Sequence, residues 1–189
     1  MLRFLPNVIT LLRIGSVAPL VFCLLKQNYA TALMIAVLAG LTDALDGWLA
    51  KRFGWQTWIG GILDPVADKL LLMTSFITLS ISQVIPDWLT ALVVGRDAAI
   101  VMGAVGYRYL IGSLDPEPTW LSKITTLFQI LYIVLILASL AKWLNLPSVF
   151  FDGFIWIVAL STFSSGIHYV IVWSLKAKRD YHAHREKTS

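Results

Sequence analysis

Apolar residues gather along this chain into six long blocks, at 8–25, 30–50, 60–83, 87–110, 121–141 and 150–175, with polar or turn-forming residues between them. Each block has the roughly 20 residues a helix needs to cross the hydrocarbon core of a bilayer, so the pattern predicts an all-α, polytopic membrane protein. The punctuation agrees with that division. Pro6 and Asn7 open the first block, Gln27-Asn28 parts the first two, and Gly54 with Gly60-Gly61 divides the second from the third. Ile85-Pro86-Asp87 makes a tight turn, the segment 112–120 (GSLDPEPTW) is a loop by composition, and Asn145-Leu146-Pro147 precedes the last block.

Carboxylates interrupt this pattern where the second and third blocks meet. Asp43, Asp46, Gly47 and Ala50 fall at i, i+3, i+4 and i+7, and Gly60, Asp64 and Asp68 at i, i+4 and i+8, so each set shares a helix face. A helical hairpin turning near Lys51 to Trp58 brings two carboxylates from each arm together. Four such groups repel one another unless cations lie between them, and Mg²⁺ or Mn²⁺ prefers hard oxygen donors. Asp64-Pro65 also reads as a helix N-cap with proline at the first helical position, and the cluster as caps with a salt bridge to Lys69. A carboxylate within a bilayer is costly unless it is used, which favours the cation-binding reading.

Charge placement orients the spans. With both termini cytoplasmic, inside segments hold Arg3, Lys51, Arg52, Arg108, Lys123 and the tail residues Lys176, Lys178, Arg179, Arg185 and Lys187, while outside loops hold only Lys26 and Lys142. That bias puts the aspartates and the active site at the cytoplasmic face. Trp48, Trp55, Trp58, Trp88, Trp120, Trp143 and Trp173 lie mostly near span ends, as an interfacial belt does. Of the 189 residues, 58% are hydrophobic and 14% charged, too little charge for a soluble surface. The net charge of +4, concentrated in the tail, suits an anionic inner leaflet. The single Cys23 excludes an intrachain disulfide, and no Walker-type phosphate loop occurs. Arg3 and Arg13 flank and enter the first block without a small-residue cleavage site, so it reads as a retained span. The expected organisation is a six-transmembrane-helix bundle over 1–175, with a cytoplasm-facing polar cavity, followed by a basic cytoplasmic tail over 176–189.

Written as D-x2-D-G-x2-A-[R/K]-x8-G-x3-D-x3-D, the residues Asp43, Asp46, Gly47, Ala50, Lys51, Gly60, Asp64 and Asp68 resemble the signature of the CDP-alcohol phosphotransferases, and the resemblance runs over nearly the whole chain. Lys51 departs from the usual arginine, keeping the charge but not the bidentate fork, unless Arg52 supplies it. The resemblance implies a metal-dependent transfer of a phosphatidyl group from CDP-diacylglycerol to an alcohol, with CMP released. It assigns Asp43, Asp46, Asp64 and Asp68 to a site for two Mg²⁺ or Mn²⁺ ions, and Asp68 also to the general-base role. It places Asp43, Asp46, Gly47, Ala50, Lys51, Gly60 and Asp64 against the nucleotide, where small residues let it approach the helix backbone. Membrane lipids and a homodimer are implied, nucleic acid is not, and a bacterial inner membrane is the expected location.

The acceptor is read from the later spans. PNVITLLRI, DPVADK and the fourth-span arginine resemble phosphatidylglycerophosphate synthases, which carry a second arginine eight residues on and a K-x-K-T pattern in the fifth span. This chain has Ala104 and Thr125 at those places, deleting positive charge that a dianionic acceptor phosphate needs. Arg96-Asp97, Tyr107-Arg108-Tyr109, a Pro-containing loop and LSKITTLFQ look more like the cardiolipin synthases, whose acceptor phosphatidylglycerol offers a neutral terminal hydroxyl. Phosphatidylglycerol is therefore the expected acceptor and glycerol 3-phosphate the alternative. Arg96, Lys123 and Arg108 are the candidate acceptor- and phosphate-binding residues, with Thr126 and Gln129 on the Lys123 face. Snorkelling for Arg13 and Lys123, and a local Arg96–Asp97 ion pair, are the plainer readings. His168 reads as packed or pore-lining, and His182 and His184 as solvated. From a different class, a cation transporter would use the aspartates as intramembrane ion sites.

Overall fold

The computed structural model describes the backbone over 5–53, 58–110 and 119–188, and side chains over 8–48, 52–53, 63–64, 66–103, 106 and 119–172. It is all helical: α1 (Leu5–Leu25), α2 (Tyr29–Phe53), α3 (Trp58–Ile81), α4 (Asp87–Leu110), α5 (Trp120–Leu140) and α6 (Ser148–Thr188). The six apolar blocks thus correspond to the six helices. α6 runs past the predicted end at 175, because no glycine or proline follows Gly166 to stop it. By length and composition α1, α2, α5 and α6 are each able to cross a membrane. α3 and α4 are as long, at 24 residues each, but α3 carries Asp64, Asp68 and Lys69, and α4 carries Asp87, Arg96 and Asp97.

The helices form two compact units. The first holds residues 1–87 and 130–151, and the second 88–129 and 152–189. In the first unit α1 packs against both α2 and α3. Ala32 and Ala67 on the partner helices are fully buried, as are Leu20 and Leu24 of α1. Phe76 of α3 stacks on Tyr132 of α5 with ring centroids 6.4 Å apart. Three helix ends in this unit close alike. At Gln27, Gln83 and Lys142 the backbone is left-handed, with φ of 57°, 55° and 60°. The next amide reaches back five residues in each, as in Asn28 N–H to the Cys23 carbonyl at 2.9 Å, which is a Schellman closure without its usual glycine. The Asn28 side chain then caps α2 through Thr31.

In the second unit polar side chains tie α5 to α6. The Gln129 amide donates to Thr162 Oγ1 at 3.1 Å, and the Thr125 hydroxyl donates to the Ser161 carbonyl at 3.0 Å. Both Gln129 and Thr125 are buried. Large apolar side chains point outward from both units, among them Leu12, Phe22, Leu38 and Ile81 in the first and Trp156, Leu160 and Phe163 in the second. Such surfaces suit lipid rather than water. The chain is an integral membrane protein.

Candidate functional site

The aspartates come together in the first unit, around a residue from α1. Arg13 lies inside the apolar run of α1 and is only 3% exposed, so its charge has to be met by protein. Its Nη1 contacts Asp43 Oδ1 at 2.5 Å and donates to Asp68 Oδ1 at 2.9 Å, while Nη2 donates to Asp46 Oδ2 at 2.8 Å. One turn earlier the Thr10 hydroxyl donates to Asp64 Oδ1 at 2.6 Å. Thr10 and Arg13, at i and i+3 on α1, therefore hold all four signature aspartates, two from α2 and two from α3.

The carboxylates differ in access. The Asp46 side chain is 2% exposed, whereas those of Asp43 and Asp68 are 38% and 51% exposed. Asp46 is sealed against Arg13, and Asp43 and Asp68 keep open edges. Set against these four carboxylates, Arg13 leaves a formal charge of −3, and hard oxygen donors in that excess suit divalent cations. As they stand, no three or more carboxylate, imidazole or thiol groups among the described residues form a metal-holding group.

Gly47 lies one residue beyond Asp46, and a Cβ built there meets nothing within 4 Å. Packing among the described residues thus does not require a glycine, and the space at the Gly47 Cβ position is open. The side chains of Ala50, Lys51, Gly60 and Pro65, and the turn at 54–57, lie outside the described residues. Arg52, the substitute weighed for the Lys51 charge, is exposed.

The candidate acceptor residues fall in the second unit. Arg96 is buried; its Nη1 donates to Asp97 at 2.6 Å, and its Nη2 donates to Ser122 and Ser165 at 2.6 and 2.7 Å. A cavity of about 220 Å³ beside it is lined by Ala99, Ile100, Gly103, Gly166, Tyr169 and Val170 as well as Arg96. The local Arg96–Asp97 ion pair, the plainer of the two sequence readings of Arg96, is present, with two serine partners that no spacing announced. Lys123 is exposed, its Nζ 5.8 Å from the Trp120 ring centroid, while Gln129 on the same predicted face is buried against Thr162. Thr125, expected beside the acceptor, is fully buried and bonds the Leu121 and Ser161 carbonyls. His168 is exposed, and the side chains of Ala104, Arg108, His182 and His184 lie outside the described residues.

Sequence reasoning missed Thr10 and gave Arg13 only a snorkelling role. Both stand in PNVITLLRI, and the signal lay there: two polar side chains one turn apart in an apolar helix need polar partners, and the acidic spans were the available ones.

A sequence model for CDP-alcohol phosphatidyltransferase matches residues 3–175. The chain is 33% identical over 153 residues to the CMP-forming cardiolipin synthase of Rattus norvegicus, covering 72% of this chain and 50% of that protein. To the CMP-forming cardiolipin synthase of Streptomyces coelicolor it is 30% identical over 155 residues, covering 77% and 71%. It is also 31% identical over 126 residues to the CDP-diacylglycerol–glycerol-3-phosphate 3-phosphatidyltransferase of Aquifex aeolicus, covering 65% and 69%. The chain spans about half the length of the mammalian relatives it matches. Signature aspartates gathered at one place, and a match running from the start of α1 into α6, establish that the chain belongs to the CDP-alcohol phosphatidyltransferase family.

Proposed function

We propose that this protein transfers the phosphatidyl group of CDP-diacylglycerol to the terminal hydroxyl of phosphatidylglycerol, forming cardiolipin and CMP. The observation that carries this reading is the gathering of Asp43, Asp46, Asp64 and Asp68 beside the open space at Gly47. In the reaction the acceptor oxygen bonds to the phosphorus of the phosphatidyl group. The bond from that phosphorus to the CMP oxygen breaks, its electron pair leaves with CMP, and the hydroxyl proton goes to a base. Asp68 suits the base role, because its half-exposed carboxylate is within reach of a substrate, as that of buried Asp46 is not. Asp46 anchors Arg13 and so fixes where the other carboxylates stand. Gly47 leaves the α2 backbone open to the nucleotide. Asp43, Asp64 and Asp68, with Asp46 through the carboxylate oxygen that Arg13 Nη2 does not take, would hold two Mg²⁺ or Mn²⁺ ions, which would neutralise the pyrophosphate and stabilise the leaving group.

A neutral acceptor hydroxyl fits the second unit. The Nη donors of Arg96 already serve Asp97, Ser122 and Ser165. The relatives named as cardiolipin synthases favour the same acceptor. Glycerol 3-phosphate is the second reading, favoured by the Aquifex aeolicus relative, with Arg96, Lys123 and Arg108 then binding its phosphate. All six helices are assigned as spans, with both termini and the aspartates facing the cytoplasm of a bacterial inner membrane, in a homodimer.

The test offers the purified protein CDP-diacylglycerol and Mn²⁺ with phosphatidylglycerol or glycerol 3-phosphate, following CMP and the lipid product. Cardiolipin from phosphatidylglycerol, lost on chelation by EDTA, is the expected result. Phosphatidylglycerophosphate from glycerol 3-phosphate alone would move the assignment to the second reading.

A further inference from the structure

We propose that Arg13 is the built-in counter-cation of the aspartate cluster, holding Asp43, Asp46 and Asp68 in place until divalent cations take the carboxylate edges that its Nη1 now occupies. The inference rests on the metal-dependent reading above.

The geometry is more than that of a structural ion pair. A single nitrogen, Nη1, is shared by Asp43 of α2 at 2.5 Å and Asp68 of α3 at 2.9 Å, which draws like charges from two helices close together. The guanidinium between them offsets their repulsion. The other nitrogen, Nη2, is committed to Asp46 alone, and Asp46 is sealed from outside.

This asymmetry sets the order of exchange. An arriving ion reaches Asp43 and Asp68 first, because theirs are the open edges, and it competes there with Nη1. The bond from Nη2 to Asp46 keeps the guanidinium tethered beside the site, ready to return when the ion leaves. Nε adds to the case. It is buried and has no hydrogen-bond partner among the described residues, so the present pose leaves one guanidinium donor unmet. Thr10 contrasts with Arg13, since it holds Asp64 through a neutral hydroxyl that does not repel an ion. α1 therefore grips one aspartate without charge and three with it.

Arg13 is thus a positioning residue, and its signature is opposite effects on the metal-free protein and on metal affinity. The experiment compares wild type, Arg13→Gln, Arg13→Lys and Thr10→Val in detergent, measuring melting temperature in EDTA and Mn²⁺ affinity from the EPR signal of the free ion. Arg13→Gln is expected to melt lower in EDTA, to recover as Mn²⁺ is added, and to bind Mn²⁺ on the order of tenfold tighter, because a competing like charge is gone. Thr10→Val is expected to melt lower without binding Mn²⁺ more tightly. Should Arg13→Gln not survive in EDTA, Arg13→Lys carries the comparison. Its compact ammonium cannot bridge as the fork does, and Mn²⁺ should again bind more tightly than to wild type. Unchanged or weaker Mn²⁺ binding by the Arg13 variants, with wild type binding normally, overturns the proposal alone. No Mn²⁺ binding by wild type overturns the metal-dependent reading, and this proposal with it.

Discussion

Replacing Asp68 by asparagine separates chemistry from architecture. The Asp68 side chain is 51% exposed and meets Arg13 Nη1 through one oxygen at 2.9 Å, and the asparagine carbonyl accepts the same hydrogen bond. What disappears is the charge, and at a half-exposed position solvent screening keeps its share of stability to about 1 kcal/mol or less. The loss to catalysis is larger. A positioned general base contributes about 10²- to 10⁴-fold, which is about 2.7 to 5.5 kcal/mol of transition-state stabilisation. Asp68→Asn should therefore keep a melting temperature near that of wild type and retain CDP-diacylglycerol binding, while CMP release falls at least a hundredfold. Asp46→Asn is the control, since its target is 2% exposed and bonded to Arg13 at 2.8 Å. Arg13 keeps Asp43 and Asp68, but at this buried position the lost charge is screened less by solvent than at Asp68, so this variant should melt below both wild type and Asp68→Asn. CMP release from Asp68→Asn within about tenfold of wild type would remove Asp68 from the base role, since that is below the range for general-base catalysis.

Gly47→Leu should abolish CDP binding without lowering the melting temperature, because a Cβ there meets nothing within 4 Å; unchanged CDP affinity in a binding titration would refute the close-approach argument. Thr125→Val removes a buried hydroxyl bonded to the Leu121 and Ser161 carbonyls, and should lower stability by about 1 kcal/mol while leaving the preference for phosphatidylglycerol unchanged. A switch in acceptor preference would return Thr125 to the acceptor pocket.

The two parts of the site differ in how far sequence reading carried. The aspartate faces of α2 and α3 follow from spacing, since residues three or four apart on a helix must point the same way. Thr125 shows where this reasoning stops. The family pattern put Thr125 at the acceptor pocket in place of a cation, yet the hydroxyl turns to the α6 backbone at Ser161, and no rule of spacing relates residues 36 positions apart. Lys123 and Gln129 likewise share a face by periodicity but not an environment, one exposed beside Trp120 and the other buried against Thr162.

By itself the sequence determined the six helices, the acidic pairs and the family signature. Each of these is written in local order, as hydrophobic run length, turn residues or identities at short spacing. Only the tertiary structure decided that α1 supplies the partners of the aspartates. Arg13 is 33 positions from Asp46 and 55 from Asp68, and Thr10 is 54 from Asp64. A buried charge announces that it needs a partner, but which carboxylates meet it depends on the register in which α1 packs against α2 and α3. That register is set by the shapes of many apolar side chains acting together, and local periodicity does not contain it.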